Sequence, residues 1–585
     1  MNILIEKNLQ MPMRDGVLLA TDLYRDADAK TAPCLVIRLP YDKEGAVSRE
    51  VMTQVQAGYH VIVQDTRGRF ASQGEFDANF QEINDGADCY AWVAQQAWCN
   101  GNIGTLGSSY LGQVQWLAAP HMTDAIKAMI VSIAPVDHYF DVAYRGGVIN
   151  LGSMLFWCSM MALGEQGRRL ATGRATPLDM KTQALALGEL AQLYETLPLA
   201  DMAHLKNISP HFFNWLAHPH YDDFWRSIDA RHFERIDKPV LHIGGWYDIF
   251  LNGTLQGFMG MRGRAKSDEA RHRQKLIIGP WSHGTNWTSS YHEQEFGMHA
   301  SGEAAWLTKM QLMWMDRWVK GIENGIDQEK PVRIFVMGIN QWRDEADWPL
   351  PETHYTPYYL HSGGHANTLH GDGSLSTALP ASEPSDSFEY DPHHPVPSIG
   401  GANLTPFASS IGPRDQASVE LRDDVLVFSR PVLTSNIEVT GPIIAHLFVS
   451  SSAPDTDITC KLVDVHPDGR AMLLTDGILR LRYRNSFEQP TLLQPNEIVP
   501  ITIDLWSTSN VFLAGHRIRI EVSSSCFPKF ARNSNTGGEV ATESREQYQV
   551  AINRIHHDAN HPSQILLPII DASRVIGQES LVISR

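Results

Sequence analysis

Residues 103–112 read Ile103-Gly104-Thr105-Leu106-Gly107-Ser108-Ser109-Tyr110-Leu111-Gly112, and Gln113 to Ala119 continue them as GQVQWLAA does from Gly112. The first four residues form a short apolar strand. The stretch from Leu111 to Ala119 has helical spacing. A serine at a tight strand-to-helix turn has its hydroxyl exposed above a sheet, and small neighbours relieve the crowding there. The usual pattern is G-x-S-x-G. Here Leu111 holds the place of the second glycine and Gly112 follows it. As a bare pattern the match is imperfect, and the strand–turn–helix setting is what gives it weight.

Working outward, Cys34–Leu39 (CLVIRL), His60–Asp65 (HVIVQD) and Ile126–Ile133 are further short apolar strands. Helical stretches lie between them, from about Ser48 to Gly58 and from Asn79 to Gln96, where Ile83, Ala87, Tyr90, Ala91 and Ala94 share a face. Apolar strands alternating with helices predict a parallel sheet covered on both faces. Met13–Arg25 carries an Asp15-Gly16 turn with partial alternation, which predicts an antiparallel strand pair at the sheet edge. The alternation pauses from Tyr139 to Ile236, a helical-looking region rich in Leu, Ala, Met and aromatic residues. It resumes at Pro239–Ile243 and Lys275–Ile278. A helical insertion over the carboxyl ends of the strands, where such sheets bind ligands, is the expectation. From Pro351 the composition turns to Gly, Pro, Ser, Asp and His. After Val425 come short β-type runs (VLVFS, IIAHLFVS, DITCKLVDV, ILRLRY, IVPITIDL, HRIRIEVS), which predict an all-β sandwich or jelly roll.

The expected organisation is α/β: an α/β-hydrolase core (1–138 and 237–350), an inserted helical cap (139–236) and a C-terminal jelly-roll domain (351–585). With 585 residues, several domains are expected. The net charge of −18 argues against nucleic acid, and no run of Lys and Arg could track a phosphate backbone. The N-terminus lacks the pattern of a secretory signal. Gly146–Gly164 has no charged side chain, but its glycines and Asn150 suit a buried helix over a pocket better than a membrane span. The six cysteines form no C-x-x-C pair, as expected of scattered thiols in a reducing, cytoplasmic setting. An acidic chain with a large β-domain permits a homo-oligomer.

A nucleophilic serine needs a base, and the base needs an orienting carboxylate. In this fold class the order is Ser, then Asp or Glu, then His. After PVLHI comes Gly244-Gly245-Trp246-Tyr247-Asp248, and after KLII comes Gly279-Pro280-Trp281-Ser282-His283. Both place their last residue just past a strand's carboxyl end. Taken singly, Asp248 is a turn residue and His283 one of 25 histidines. Taken with Ser109, they make a triad. The oxyanion would meet the Tyr110 backbone N–H and a second donor from the loop after an early strand. There, in Pro40-Tyr41-Asp42-Lys43, the Tyr41 hydroxyl is a competent donor, and a structural tyrosine is the alternative. There is no H-E-x-x-H and no phosphate loop, and His393-His394 sits in a Pro-rich loop. No metal and no cofactor is expected.

These pieces resemble the cocaine esterase-like (CocE/NonD) hydrolases of the Xaa-Pro dipeptidyl-peptidase and α-amino acid ester hydrolase group. Gly107–Gly112 matches the G-x-S-Y-x-G motif of that group, Leu111 included. Gly245–Asp248, Gly279–His283 and Tyr41 match its aspartate, histidine and PYDK motifs. Asp65-Thr66-Arg67-Gly68, Asp455-Thr456-Asp457, Lys461–Val465, Asp468-Gly469-Arg470 and Asp476-Gly477-Ile478 extend the likeness nearly end to end. The resemblance implies the three-part architecture, with a galactose-binding-like jelly roll. It also implies the Ser109–Asp248–His283 triad and an oxyanion hole of Tyr41 and Tyr110. The α-amino acid ester hydrolases carry acidic residues two and three places after the triad aspartate, where this chain has Phe250 and Leu251. The resemblance therefore implies an aromatic acyl pocket lined by Phe250, with Trp157 of the cap lining it or packing beside it. The expected substrate is a small carboxylic ester. An Xaa-Pro dipeptide or a β-lactam or glutaryl amide is the alternative on the same triad, and a non-catalytic binding protein is the alternative of a different class.

Overall fold

The computed structural model describes residues 2–45, 49–284, 287–407 and 411–571. The expected helix from Ser48 therefore begins outside them, and its described part is Arg49–Gln56. The strands up to residue 345 are β1 (Ile3–Pro12), β2 (Leu18–Asp26), β3 (Ala32–Leu39), β4 (His60–Asp65), β5 (Cys99–Ser108), β6 (Ile126–Ser132), β7 (Tyr144–Arg145), β8 (Val148–Ile149), β9 (Val240–Tyr247), β10 (Gln274–Ser282), β11 (Val332–Val336) and β12 (Gln341–Glu345). Ten of them form one sheet in the order β1-β2-β4-β3-β5-β6-β9-β10-β11-β12. From β4 to β11 the ladders are parallel. The β1–β2 hairpin is antiparallel at the edge, as the Asp15-Gly16 turn predicted. Every residue of β4, β9 and β10 is buried, because helices cover both faces. Helices Glu82–Ala94, Tyr110–Ala118, Leu251–Arg264 and Leu307–Trp318 supply that cover.

The stretch after β6 is less uniformly helical than its composition suggests. A π-helical turn (His138–Ala143) and the two-residue strands β7 and β8 come first. The glycines between those strands have positive φ, and a Cβ on Gly146 would lie 1.9 Å from the Ile478 carbonyl oxygen. Only a residue without a side chain lets this hairpin press against the C-terminal half. Helix Leu151–Ala171 follows, and then Pro177–Gly188 and Pro210–Ala217. No described helix is long and apolar enough to cross a membrane.

The C-terminal half is strand-rich. β13 (His354–His361), β14 (Ser374–Ser376) and β15 (Asp386–Tyr390) lie in the stretch after Pro351, inside the expected β-domain but ahead of the runs that the sequence marked as strands. Next come β16 (Leu426–Ser429), β17 (Ile437–Ser451), β18 (Asp457–Val465), β19 (Ala471–Arg480), β20 (Val499–Phe512), β21 (Arg517–Ser523), β22 (Ala551–His556) and β23 (Gln564–Ile570). They form an eleven-stranded sheet in the order β15-β22-β17-β23-β13-β14-β16-β21-β18-β19, with β20 on β17. ILRLRY does not stay a strand: β19 stops at Arg480, and Leu481–Tyr483 is a 3-10 turn.

The two halves share backbone hydrogen bonds. Met337 N–H donates to Ser509 and Val511 N–H to Met337, while Arg480 N–H reaches Gly146 and Gly152 N–H reaches Lys529. One apolar cluster runs from Trp246 and Phe335 of the first sheet into Leu447, Leu505 and Ile520 of the second. All six cysteines are free thiols.

Candidate active site

Ser109 lies between β5 and the helix Tyr110–Ala118, with φ 58° and ψ −126°. Such a backbone is strained for a residue with a side chain and persists only where the surroundings impose it. The surroundings here are explicit. A Cβ on Gly107 would lie 2.4 Å from Leu111 Cβ, and one on Gly112 would lie 2.5 Å from Ala134 Cβ. The second glycine is thus needed where the helix meets the segment after β6. This turn places that contact at position 112, which accounts for the displaced motif.

His283 and Asp248 directly follow β10 and β9. His283 Nε2 lies 3.0 Å from Ser109 Oγ, and His283 Nδ1 lies 2.9 Å from Asp248 Oδ2. Asp248 is fully buried, and its other oxygen accepts the Phe250 N–H at 2.7 Å. The Phe250 ring stands edge-on to the imidazole, with centroids 5.1 Å apart. The sequence order, the strand ends and the hydrogen bonds converge on one constellation of nucleophile, base and orienting carboxylate.

Tyr110 opens the helix, so its N–H has no partner within it and faces the turn with the positive end of the helix dipole. Its side chain is tied down elsewhere. The hydroxyl donates to Glu82 at 3.1 Å, and Glu82 pairs with Arg38 at 2.8 Å, both fully buried. A buried guanidinium stripped of its carboxylate costs about 3–5 kcal/mol. The Arg38–Glu82–Tyr110 chain therefore fixes the helix start that presents Ser109.

Tyr41 follows β3, the neighbour of β5. The Trp157 indole N–H donates to the Tyr41 hydroxyl oxygen at 2.9 Å. An indole has nothing but a donor, so this bond uses a phenol lone pair and leaves the phenol's own hydrogen free to point elsewhere. Burial pushes the Tyr41 phenol up to about 12, which keeps it a donor. The loop is held from behind: Asp65 accepts the Lys43 N–H at 2.8 Å, and the Arg69 guanidinium donates to the Pro40 carbonyl at 2.9 Å. Asp65 and its neighbours, a motif with no evident role in the sequence, thus shape the Tyr41 turn.

A cavity with about 490 Å³ of empty space opens beside Ser109, part of it toward solvent. Phe250 and Trp157 line it, joined by Met154, Val142, Trp215 and Leu404. Trp157 is stacked between Tyr110 (6.0 Å, 18°) and Trp215 (5.8 Å, 19°), so it both lines and packs. Sequence reasoning missed Leu404, which reaches the pocket from beyond residue 351 with no motif to mark it. It also missed His138. That ring lies 4.6 Å from Trp215, its Nδ1 faces the amide nitrogens of Asn79 (3.0 Å) and Gln113 (3.1 Å), and burial pulls it down to about 3. His138 stays neutral and is a wall, not a second base.

One group among the described residues brings metal-type ligands together: Asp464, His466 and His516. Its hydrogen bonding is internal. His516 Nδ1 meets Asp464 at 2.8 Å, Asn510 donates to Asp464, and Arg470 faces His466. His394 bonds Asp391 on the surface.

Fold and site together define a serine hydrolase. Residues 15–285 match the X-Pro dipeptidyl-peptidase (S15) family, and residues 324–566 match the X-Pro dipeptidyl-peptidase C-terminal non-catalytic domain. The chain is 43% identical to the cocaine esterase of Rhodococcus sp. (strain MB1 Bresler) over 97% of its own length and 99% of that protein's. It belongs to this family, on its cocaine esterase-like branch. Two solved structures share the fold over 97% of both chains: an aminopeptidase from a marine-sediment Thaumarchaeota archaeon (TM-score 0.81, 24% identity) and an α-amino acid ester hydrolase (TM-score 0.77, 23% identity).

Proposed function

We propose that the chain hydrolyses small esters of aromatic or bulky acyl groups through an acyl-enzyme on Ser109. His283 takes the Ser109 proton as the hydroxyl attacks the ester carbonyl. The Tyr110 N–H and the Tyr41 hydroxyl receive the developing oxyanion. His283 then protonates the leaving alcohol, and water repeats the sequence to free the acid. Asp248 holds the imidazole with its proton on Nδ1 and stabilises the charged form. The observation that carries this reading is the continuous Ser109–His283–Asp248 hydrogen-bond chain beside an apolar cavity.

The aromatic walls Phe250, Trp157 and Trp215 favour a flat acyl group. Phe250 occupies the place where an ammonium-binding acid would be needed for amino-ester specificity. The likeness to an esterase of cocaine, whose name specifies an ester substrate, supports the same class. In this reading the segments 1–138 and 237–350 form the catalytic core and 139–236 a cap over it. The region from 351 is a galactose-binding-like jelly roll, a topology supported by β17 pairing β20 along one edge and β22 and β23 along the other.

The test is a matched pair, an aryl ester and the anilide of the same acid. The expected outcome is a kcat/KM for the ester that exceeds the anilide's by more than the intrinsic reactivity difference. Preference for the anilide would select the amidase reading instead. Tyr41→Phe is expected to lower kcat on the ester about 10²-fold, the size of one oxyanion donor. An unchanged kcat would remove Tyr41 from the mechanism.

A further inference from the structure

A second, polar cavity adjoins the acyl pocket. The two share Ser153 and Ile249, the residue between Asp248 and Phe250, and Asn403 in the second directly precedes Leu404 in the first. Arg145 and Lys529 line this annex, both 5% exposed. They share one carboxylate. Lys529 Nζ donates to both oxygens of Asp476, at 2.7 and 2.6 Å, and Arg145 donates to Asp476 at 3.1 Å. The guanidinium lies 3.6 Å above the Trp506 ring, which holds it in place.

Two buried donors of the annex are left open. Arg145 Nε and the amide nitrogen of Asn403, a residue 2% exposed, are buried donors with no partner among the described residues. The acceptors beside them, on Asp141 and Asn403, are occupied. Asp141 receives the N–H groups of Val136 (3.0 Å) and Asp137 (3.1 Å) and the Asn252 amide (3.3 Å), and the Asn403 oxygen receives the Leu404 N–H. Burying donors without acceptors is unfavourable unless something fills the site. Charge points the same way. Burial lowers both Arg145 and Lys529; for Asp476 burial acts upward, but the two cations outweigh it and hold the carboxyl down. Asp141, by contrast, is pushed up to about 7 by burial and by Asp137, and burial also pushes up Asp504, the other carboxyl that acts on Arg145.

We infer that the annex is a carboxylate subsite, receiving the far carboxylate of an acyl group whose ester carbonyl sits at Ser109. The natural substrates would then include monoesters of dicarboxylic acids. This rests on the ester-hydrolase reading of Ser109, but its test does not need turnover.

Calorimetry on the wild-type protein would compare succinate, glutarate and adipate with the monocarboxylates and the terminal monoamides of the same chain length. At the length that spans the two cavities, the dicarboxylate should bind about 10-fold or more tighter than either, as charge-assisted hydrogen bonds do. Asn403→Ala and the isosteric Asn403→Asp, which sets an acceptor where the donor stood, should both erase that preference in proteins whose thermal unfolding matches wild type. Equal binding of all three series at every length would overturn the subsite. A monoamide as tight as the dicarboxylate would overturn the claim of charge, and a preference surviving both variants would overturn the role of Asn403. Failure of the wild type to turn over any ester would count against the esterase reading alone.

Discussion

Ser109→Ala is expected to lower kcat on an aryl ester by at least about 10³-fold, and toward about 10⁶-fold if the triad acts as a unit. The oxygen that attacks the carbonyl is gone, and His283 Nε2, 3.0 Å away, loses the group whose proton it takes. The residue that remains still sits at φ 58°, a conformation that alanine bears no better than serine, so the fold should persist with little change in thermal unfolding. Removing the nucleophile leaves the oxyanion donors in place, and a residual acceleration over water of about 10³–10⁴ is the usual remainder. A fluorophosphonate probe reads the same event without a substrate. Peptide mapping should find the label on Ser109 in the wild type and no label in the variant. Near-wild-type turnover by Ser109→Ala, or a label on another serine, would sink the assignment.

The triad was legible because its three members obey one simple rule. Each follows the carboxyl end of a parallel strand, and such strands are short apolar runs that a sequence shows plainly. The departure at Leu111 was legible as a departure but not in its cause, because the atom that demands Gly112 belongs to Ala134, on another strand's loop. The remaining gaps are of the same kind. Arg38 and Glu82 lie in a strand and a helix of ordinary appearance, and only the fold reveals them as a buried pair beneath Tyr110. Trp157 could be placed near the pocket, yet its bond to Tyr41 joins residues 116 positions apart. The Asp455-Thr456-Asp457 motif proved to form buried ion pairs, Asp455 with Arg482 and Asp457 with Arg480, with Asn533 donating to both carboxylates. A sequence shows such residues as charged turns, because the partners that make burial tolerable are distant in the chain. β13 to β15 were hidden for a different reason. The chain around them is rich in Gly, Pro and Asp, and their strand character comes from distant partners, β23 for β13 and β22 for β15, with β14 added beside β13.

Asp248→Asn should cost about 10⁴-fold in kcat while leaving KM within a few-fold, and the reason lies in one backbone hydrogen. The wild-type carboxylate accepts twice: from Phe250 N–H at 2.7 Å on one oxygen, and from His283 Nδ1 at 2.9 Å on the other. An asparagine amide has one oxygen. The Phe250 N–H is fixed by the chain and can only donate, so it claims that oxygen and turns the NH₂ toward His283. Nδ1 must then accept, and the imidazole proton moves to Nε2, where it faces Ser109 Oγ. In that tautomer His283 has no lone pair for the serine proton and cannot act as the general base. The variant also removes the negative charge that stabilises the imidazolium in the transition state. Ground-state binding depends on the aromatic walls and is not touched, which is why the loss should fall on kcat. The measurement is steady-state kinetics on the aryl ester, with the ring's nitrogen-15 shifts reporting which nitrogen carries the proton. A kcat within about ten-fold of wild type, or a ring still protonated on Nδ1, would show that Asp248 does not govern the tautomer and that another group orients His283.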